Sequence, residues 1–492
     1  MSVWRRLSYG QTLAAITAAA TILRFALLAR QPLGIDEDFT AVVVHASPGR
    51  MLEIVAHDSA PPLFYLAEKL VVAISTVVAP GPEWAAAWLR VVPAIAGVAL
   101  IPLLAALGRR IGGDRAGLWT AAFVAFAPTT VVLAGFARMY GLGAAFTVAA
   151  ALLLWRAVEQ PGPGRWLMYA GAAVAATWID YFCIVALAGI LVAAMWLRPG
   201  LRVAATAFGV TALAVATILP WLLIARSQFD HAGQSFWIPP LGPTMVGGTL
   251  AQLFMGPEAI GSYPFGAALI GLQVLAVGAG CVALAVGIIA WRRSGEESRR
   301  AAVYCALAAS GVLMLAAVSI WRPILDARYA GVMWLPVFAI CGLGLAAMPR
   351  RAAALVVVAV AVPSLALGVV TTHPETSSLV PVVDAAIAAD LGGHDLVDVA
   401  LDHYLVFLDE GGPQVQARLH VLTPANPQWY LGTAAYPPDA VIHAVPSDLV
   451  ANGGRIFWIG DPGDDPVLLP AGYRAVQQEC VIGVCLTTYA PR

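Results

Sequence analysis

Pro61-Pro62-Leu63-Phe64-Tyr65-Leu66-Ala67-Glu68-Lys69-Leu70 opens an apolar stretch, 62–79, on whose reading the topology of the whole chain turns. A spanning helix needs roughly 20 apolar residues. This stretch begins at a proline pair and carries Glu68-Lys69 within it, and a charged pair is costly inside hydrocarbon. Two further apolar stretches flank it, at 12–29 and 88–107, and beyond them stand Arg5-Arg6 and Arg109-Arg110. Short cytoplasmic loops collect Arg and Lys, and two such clusters on one side require an even number of crossings between them. Three spans break that parity. Two restore it, if 62–79 lies in the outer interface or dips in and returns.

The same parity runs through the rest of the chain. Arg115, Arg156 with Arg165, Arg198 with Arg202, Arg292-Arg293 with Arg299-Arg300, and Arg350-Arg351 mark one side. Between them the apolar stretches pair. Residues 116–158 turn at Arg138-Met139-Tyr140, 166–197 turn at Asp180-Tyr181, and 301–320 with 329–348 turn at 321–328. Residues 203–225 and 264–291 surround an irregular outer loop rich in Gly and Pro, and 352–371 carries the chain outward for good. The expected fold class is an all-α polytopic membrane protein with about 11 transmembrane helices and juxtamembrane helices in the first outer loop. It places the amino terminus inside and a C-terminal soluble α/β domain outside. Trp4-Arg5-Arg6 leads into 12–29 without a small-residue cleavage motif, which reads as a first anchor rather than a removable leader.

Composition agrees. The 492 residues are 60% hydrophobic and 12% charged, against about a quarter charged in soluble domains, so a soluble enzyme is excluded. Residues 1–372 hold 24 basic and 15 acidic side chains, while 373–492 hold 4 and 14. The expected domains are therefore a transmembrane catalytic domain, 1–372, and an extracytoplasmic α/β domain, 373–492. Nothing in this split supports nucleic-acid binding. The basic set is 27 Arg and the single Lys69, a bias that fits a GC-rich genome, so Arg identity alone carries little weight. No internal repeat is evident.

In the tail, short β-like runs lie at 396–401, 418–422, 455–459 and 481–489, with turns at Gly453-Gly454, Pro462-Gly463 and Pro470-Ala471-Gly472. Cys480 and Cys485 are spaced for a disulfide if the tail is outside the reducing cytosol, with two buried thiols as the alternative. Cys183, Cys281, Cys305 and Cys341 lie in apolar runs and read as small hydrophobes.

On this topology polar residues gather at one membrane face. Ile35-Asp36-Glu37-Asp38 follows the first helix. It reads either as a helix start or as a general base, Asp36, with Glu37 as its acidic partner, because adjacent carboxylates repel and one of them becomes usable near neutral pH. His57-Asp58-Ser59-Ala60-Pro61-Pro62 offers Asp58 as a metal ligand or second acid with His57 as a substrate contact, or else only prolines that start the next helix. Arg138 and Tyr140 stand at a hairpin turn, where Arg either snorkels to headgroups or grips a phosphate with its planar fork. Trp178-Ile179-Asp180-Tyr181 and the run 321–329, with Arg322, Arg328 and Tyr329, fit an aromatic belt, yet two cations on a face expected to hold few suit a phosphate at the surface. In the long outer loop His231, Trp237 and Glu258 are weaker sugar or metal contacts, and in the tail Trp429, Tyr430 and Tyr436 read as glycan contacts or core. Acids to activate a hydroxyl beside cations to hold a phosphate are the equipment for moving a sugar from a lipid phosphate.

The order Asp36-Glu37, Asp58 with Pro61-Pro62-Leu63-Phe64-Tyr65, Ala137-Arg138-Met139-Tyr140 and Arg328-Tyr329 resembles the membrane glycosyltransferases of the GT-C class. It is similar to the family 39-like bacterial branch that includes protein O-mannosyltransferases and lipid A aminoarabinose transferases. The resemblance covers about residues 10–350 and implies a polyprenyl-phosphate sugar donor and an inverting single displacement. Residue by residue, it implies Asp36 as base, Asp58 as an acid or metal ligand, and Arg138 and Arg328 at the donor phosphate. It departs at Asp180-Tyr181, where relatives often show His-Tyr. A divalent cation, Mg or Mn, is the candidate cofactor, with Asp36 and Asp58 as candidate ligands. The expected product is mannose or another monosaccharide on a hydroxyl of a lipid, glycan or protein acceptor at the plasma membrane. The alternative is a flippase for lipid-linked saccharides, which predicts polar residues through the bilayer depth; the mid-helix positions are nearly all apolar instead.

Overall fold

Ser8 opens the first helix, α1 (Tyr9–Leu27): its Oγ accepts from the Gln11 N–H while Gln11 Oε1 accepts from the Ser8 N–H, a reciprocal cap that satisfies two otherwise orphaned donors. The computed structural model describes residues 8–28, 33–78, 84–228, 238–256, 267–370, 380, 384, 391–424, 427, 432–481 and 484–492. The chain packs into two compact units. Met1–Arg30, Ala60–Arg226 and Gln234–Thr371 make the first, and Gln31–Ser59, Ser227–Gly233 and Thr372–Arg492 the second.

Six helical segments are long and apolar enough to cross a membrane among the described residues: Val91–Phe126, Tyr140–Glu159, Leu201–Ile224, Gly271–Arg292, Glu296–Val318 and Ala327–Ala347. They make this a membrane protein. In order after α1 come α2 (Ile35–His45), α3 (Pro48–His57), α4 (Leu63–Val78), α5 (Ala85–Leu89), α6 (Val91–Phe126), α7 (Pro128–Gly135), α8 (Tyr140–Glu159), α9 (Pro163–Ile179) and α10 (Phe182–Trp196). The segment 62–79 is a 16-residue helix, α4, with Phe64, Tyr65 and Glu68 buried on one side and Leu66, Leu70, Ile74 and Val77 exposed on the other. Its charged residue thus sits against protein and its apolar stripe faces outward.

The arginine cluster 109–115 marks a real turn. Helix α6 breaks at Gly112 and at Gly113, whose φ of 68° suits only glycine. Gly108 leaves no room for a Cβ against Thr120, and Gly117 is held tightly against the Ala105 carbonyl. Pairs placed symmetrically about the break therefore touch, so the two halves of α6 fold back on each other as a hairpin. Arg109 Nε closes the turn on Asp114 Oδ1 at 2.6 Å.

The end of α6 shows how an apolar unit disposes of its backbone polarity. Arg24, 2% exposed, donates to the carbonyls of Ala125 at 3.1 Å and Val124 at 3.3 Å. Ser364 Oγ donates to Phe126 O, and Thr130 Oγ1 to Ala127 O. Every carbonyl that the Ala127-Pro128 break would orphan is thereby bonded, as a hydrocarbon environment demands. The core of this unit is built from Leu100, Leu104, Phe123, Leu154, Trp155, Tyr304 and Phe338. One expectation is corrected: the outer loop read as irregular contains a 13-residue helix, Pro243–Met255, started by Pro243 after Gly242.

In the second unit six strands, β1 (Leu396–Val399), β2 (Leu419–Leu422), β3 (Val441–Ile442), β4 (Ile456–Gly460), β5 (Tyr473–Val481) and β6 (Val484–Pro491), form one sheet in the order β3-β2-β1-β4-β6-β5. The first four in that order run parallel and the β5–β6 hairpin is antiparallel. The strand expected at 481–489 is β6, the second strand of this hairpin, whose first strand, β5, has no counterpart in that reading; Cys480 and Cys485 face across the hairpin in a disulfide. Helices α2 and α3 belong to this unit. The Arg50 guanidinium donates to Tyr436 O at 3.3 Å, His45 Nδ1 lies 3.7 Å from Asp409 Oδ1, and Phe39 and Leu405 both press on Gly432.

Candidate active site

In the first unit the turn before α8 carries the cation. Arg138 is 6% exposed, and its Nη1 donates to Tyr65 Oη of α4 at 3.3 Å. Guanidinium and phenol are thus oriented together at the head of α8. Tyr140, at the start of α8, continues a row of rings: it stacks on Phe136 at 6.1 Å and lies 6.0 Å from Tyr329, which stacks on Phe182 at 3.9 Å. Tyr329 is placed by the helix Ala327–Trp334, whose N-cap Asp326 accepts from the Arg328 N–H at 2.8 Å.

Asp180 ends α9 and is 2% exposed; its Oδ1 accepts from the Phe182 N–H at 2.9 Å, so it also starts α10. Gly143 of α8 packs against Asp180 and Cys183. Tyr181 accepts a hydrogen bond from Trp221 Nε1 at 3.0 Å. The structure therefore brings Arg138, Tyr140, Asp180 and Tyr329 together around the ends of α8 and α10, with Arg328 next in chain to Tyr329. Arg322 is exposed.

The acids lie in the second unit. Asp36, Glu37 and Asp38 occupy the first turn of α2, where the helix dipole favours negative charge. Glu37 Oε2 accepts from the Gly34 N–H at 3.2 Å, so Glu37 serves the helix end and is buried, as is Asp38, while Asp36 is half exposed. Asp58 ends α3, 7% exposed, and accepts from Ser59 Oγ at 3.4 Å. His57 is exposed and donates through Nδ1 to Glu53 O at 2.8 Å, back onto its own helix. His231, Trp237, Glu258, Trp429 and Tyr430 lie outside the described residues. Tyr436 is core, its ring tilted against Tyr404 with centroids 4.3 Å apart and its hydroxyl donating to Leu401 O.

Among the described residues Asp36 and Asp58 join no group of three His, Cys, Asp or Glu side chains able to share an ion; Asp402, His403 and Asp461 do. In the same unit burial pushes the Asp398 carboxyl up to about 8, and burial with the neighbouring Asp409 pushes Glu410 up to about 7.

No family model matches the chain, and no curated protein matches it in sequence. Its architecture does have counterparts. ArnT from Cupriavidus metallidurans in the apo state superposes with a TM-score of 0.60 at 14% identity, over 96% of this chain and 97% of that one. The same protein bound to undecaprenyl phosphate gives 0.57 at 15% identity over the same shares. The Archaeoglobus fulgidus oligosaccharyltransferase in the apo form gives 0.53 at 13% identity, covering 94% of this chain and 70% of that one. This chain has the GT-C fold.

Within the GT-C fold Arg138, Tyr140 and Tyr329 are residues the sequence singles out, whereas Phe136 and Phe182 of the same row are not. Tyr65 of α4 is named there only within the run Pro61-Pro62-Leu63-Phe64-Tyr65 that carries the GT-C resemblance, with no role of its own, although it touches Arg138. In a GT-C chain so read, the buried face of that amphipathic helix was the place to look.

Proposed function

We propose that the protein is an inverting glycosyltransferase that moves a monosaccharide from a polyprenyl-phosphate donor to a hydroxyl acceptor at the outer face of the plasma membrane. The observation that carries this reading is Arg138, a guanidinium held by Tyr65 inside an apolar unit and bordered by the Tyr140–Tyr329 row. A buried, hydrogen-bonded Arg presented by aromatic walls suits the phosphate and first isoprenoid units of a lipid donor. A fold likeness over nearly the whole length of ArnT, which was solved with undecaprenyl phosphate, supports the same class of donor.

In this reading the acceptor oxygen attacks the anomeric carbon from the side opposite the phosphate. The new C–O bond forms as the anomeric C–O bond to phosphate breaks, and the electron pair leaves on the polyprenyl phosphate. Arg138 and Arg328 stabilise that growing charge. Asp36 takes the hydroxyl proton, with Glu37 and Asp58 supporting the acidic side, and Asp180 and Tyr181 contact the sugar. The membrane face is the extracytoplasmic one, because the arginine clusters mark the other side.

The test supplies a panel of radiolabelled polyprenyl-phosphate sugars to membranes holding wild type or Asp36→Asn. Label passing from one donor only with wild type supports the reading and identifies sugar and product. Donor binding without transfer from any donor sinks it in favour of lipid-linked saccharide movement.

A further inference from the structure

The carboxyl ends of β1 and β4 form a second chemically equipped place in the molecule. Strand β1 pairs in parallel with β2 on one side and with β4 on the other. The chain leaves β1 through the helices Tyr404–Glu410 and Pro413–Gln416 to reach β2 and then β3, and returns through Ser447–Ala451 to β4 on the opposite side of β1. Successive connections thus diverge between β1 and β4. In open α/β sheets this switch of direction leaves a crevice beyond the strand ends, where ligands bind.

Three donor side chains stand there. Asp402 and His403 follow β1, and Asp461 is the first residue after β4. The hydrogen bond from the Ala400 N–H to Ile459 O, at 2.8 Å, extends the ladder past β1 and fixes the two strand ends to each other. One ligand atom from each of the three side chains lies within 4.8 Å of the others, and His403 Nε2 is 3.1 Å from Asp461 Oδ1. Donors around an ion bonded at about 2.1 Å sit roughly 3 to 4 Å apart, so little adjustment is needed. The His403 side chain is 8% exposed and Asp461 53%, giving one fixed buried wall and one open side.

Asp398 adds an independent sign. It is fully buried, and its Oδ2 has no hydrogen-bond partner among the described residues. Its ladder partner on β2 is His420, yet its Oδ1 accepts from the N–H of Leu422, two residues further along, at 2.8 Å. The carboxylate therefore leans toward the carboxyl end of the sheet. A buried carboxyl oxygen without a partner is costly, and this one lies on the strand that leads into Asp402 and His403.

We infer that the C-terminal unit binds a first-row divalent cation through Asp402, His403 and Asp461 at the topological switch point of its sheet. One imidazole nitrogen with two carboxylate oxygens suits Zn2+ or Mn2+ better than Ca2+ or Mg2+, with Zn2+ bound more tightly than Mn2+. Three protein ligands leave coordination positions open on the exposed side. None of the three belongs to the residues proposed for sugar transfer.

The test uses full-length protein in detergent, stripped with chelator and titrated with Mn2+, with free ion counted by electron paramagnetic resonance. One ion per chain is expected, with affinity lowered at least tenfold in Asp461→Asn and in Asp402→Asn. Nitrogen hyperfine coupling to the bound ion should vanish in His403→Gln. Asp461 is exposed and Asp402 half-buried, so these variants keep the sheet, which amide exchange of β4 checks. Saturable binding indifferent to Asp461→Asn, binding lost in Asp58→Asn instead, or no saturable binding would each overturn the assignment.

Discussion

Arg138 Nη1 donates to Tyr65 Oη at 3.3 Å, tying α4 to the turn that opens α8. Tyr65→Phe keeps the ring and its edge contact with Phe64 but removes the acceptor. A net hydrogen bond is worth about 1 kcal/mol, so kcat/KM for the lipid-phosphate donor should fall roughly 5-fold through that bond alone. Arg138→Lys loses the planar fork and should cost on the order of 100-fold. Steady-state transfer kinetics at varied donor decide this; unchanged kcat/KM in Arg138→Lys would place the phosphate elsewhere.

Asp36→Asn should lower kcat by about 100-fold or more, the usual worth of a positioned general base. Fold should be nearly unaffected, because a first-turn charge contributes only about 0.3–1 kcal/mol to a helix. Thermal midpoint and single-turnover transfer, measured on the same preparation, separate the two effects.

Stability of the C-terminal unit should fall as pH rises. The ordinary value for Asp398 is 3.8, and folding raises it to about 8. Between those values the unfolded chain has released a proton that the folded chain keeps, so each step up in pH favours unfolding. The loss begins above about pH 4 and is complete above the folded value. Asp398→Asn retains an acceptor for the Leu422 N–H and cannot ionise. It should match wild type near pH 4 and exceed it at pH 9 by roughly 1–3 kcal/mol, measured by urea unfolding with pulse proteolysis.

Arg24→Met should destabilise the membrane unit by roughly 1–3 kcal/mol, because the carbonyls of Val124 and Ala125 lose their buried donor. Arg24→Lys should recover part of the loss. Thermal midpoints in one detergent, compared across the three proteins, test it; equal midpoints would mean that another group takes over the cap.

The sequence was most legible where a local rule acts over a short distance. Charge clusters beside apolar runs located the turn at Gly112–Gly113 and the breaks at Arg138 and Asp180, because lipid forbids irregular backbone elsewhere. Legibility failed where packing decides. The helix Pro243–Met255 lies among Gly and Pro residues that read as loop, and β3, of only two residues, has no pattern of its own. The group Asp402, His403 and Asp461 escaped because 58 residues separate His403 from Asp461, and only the parallel pairing of β1 with β4 joins them. Tyr65 was quoted within the Pro61-to-Tyr65 run, but its bond to Arg138 escaped because that run says nothing about which helix face is buried.

The Arg50–Tyr436 hydrogen bond joins positions 386 residues apart. Together with the His45–Asp409 pair and the Phe39 contact on Gly432, it means that α3 and the helix bearing Asp36 are both built against the last quarter of the chain. Shortening the gene at the end of the final apolar helix would strip α2 and α3 of the surface they fold on. An inactive truncation would then report a lost scaffold, whatever chemistry the tail has of its own, and separately expressed halves would have to re-form that surface before any turnover.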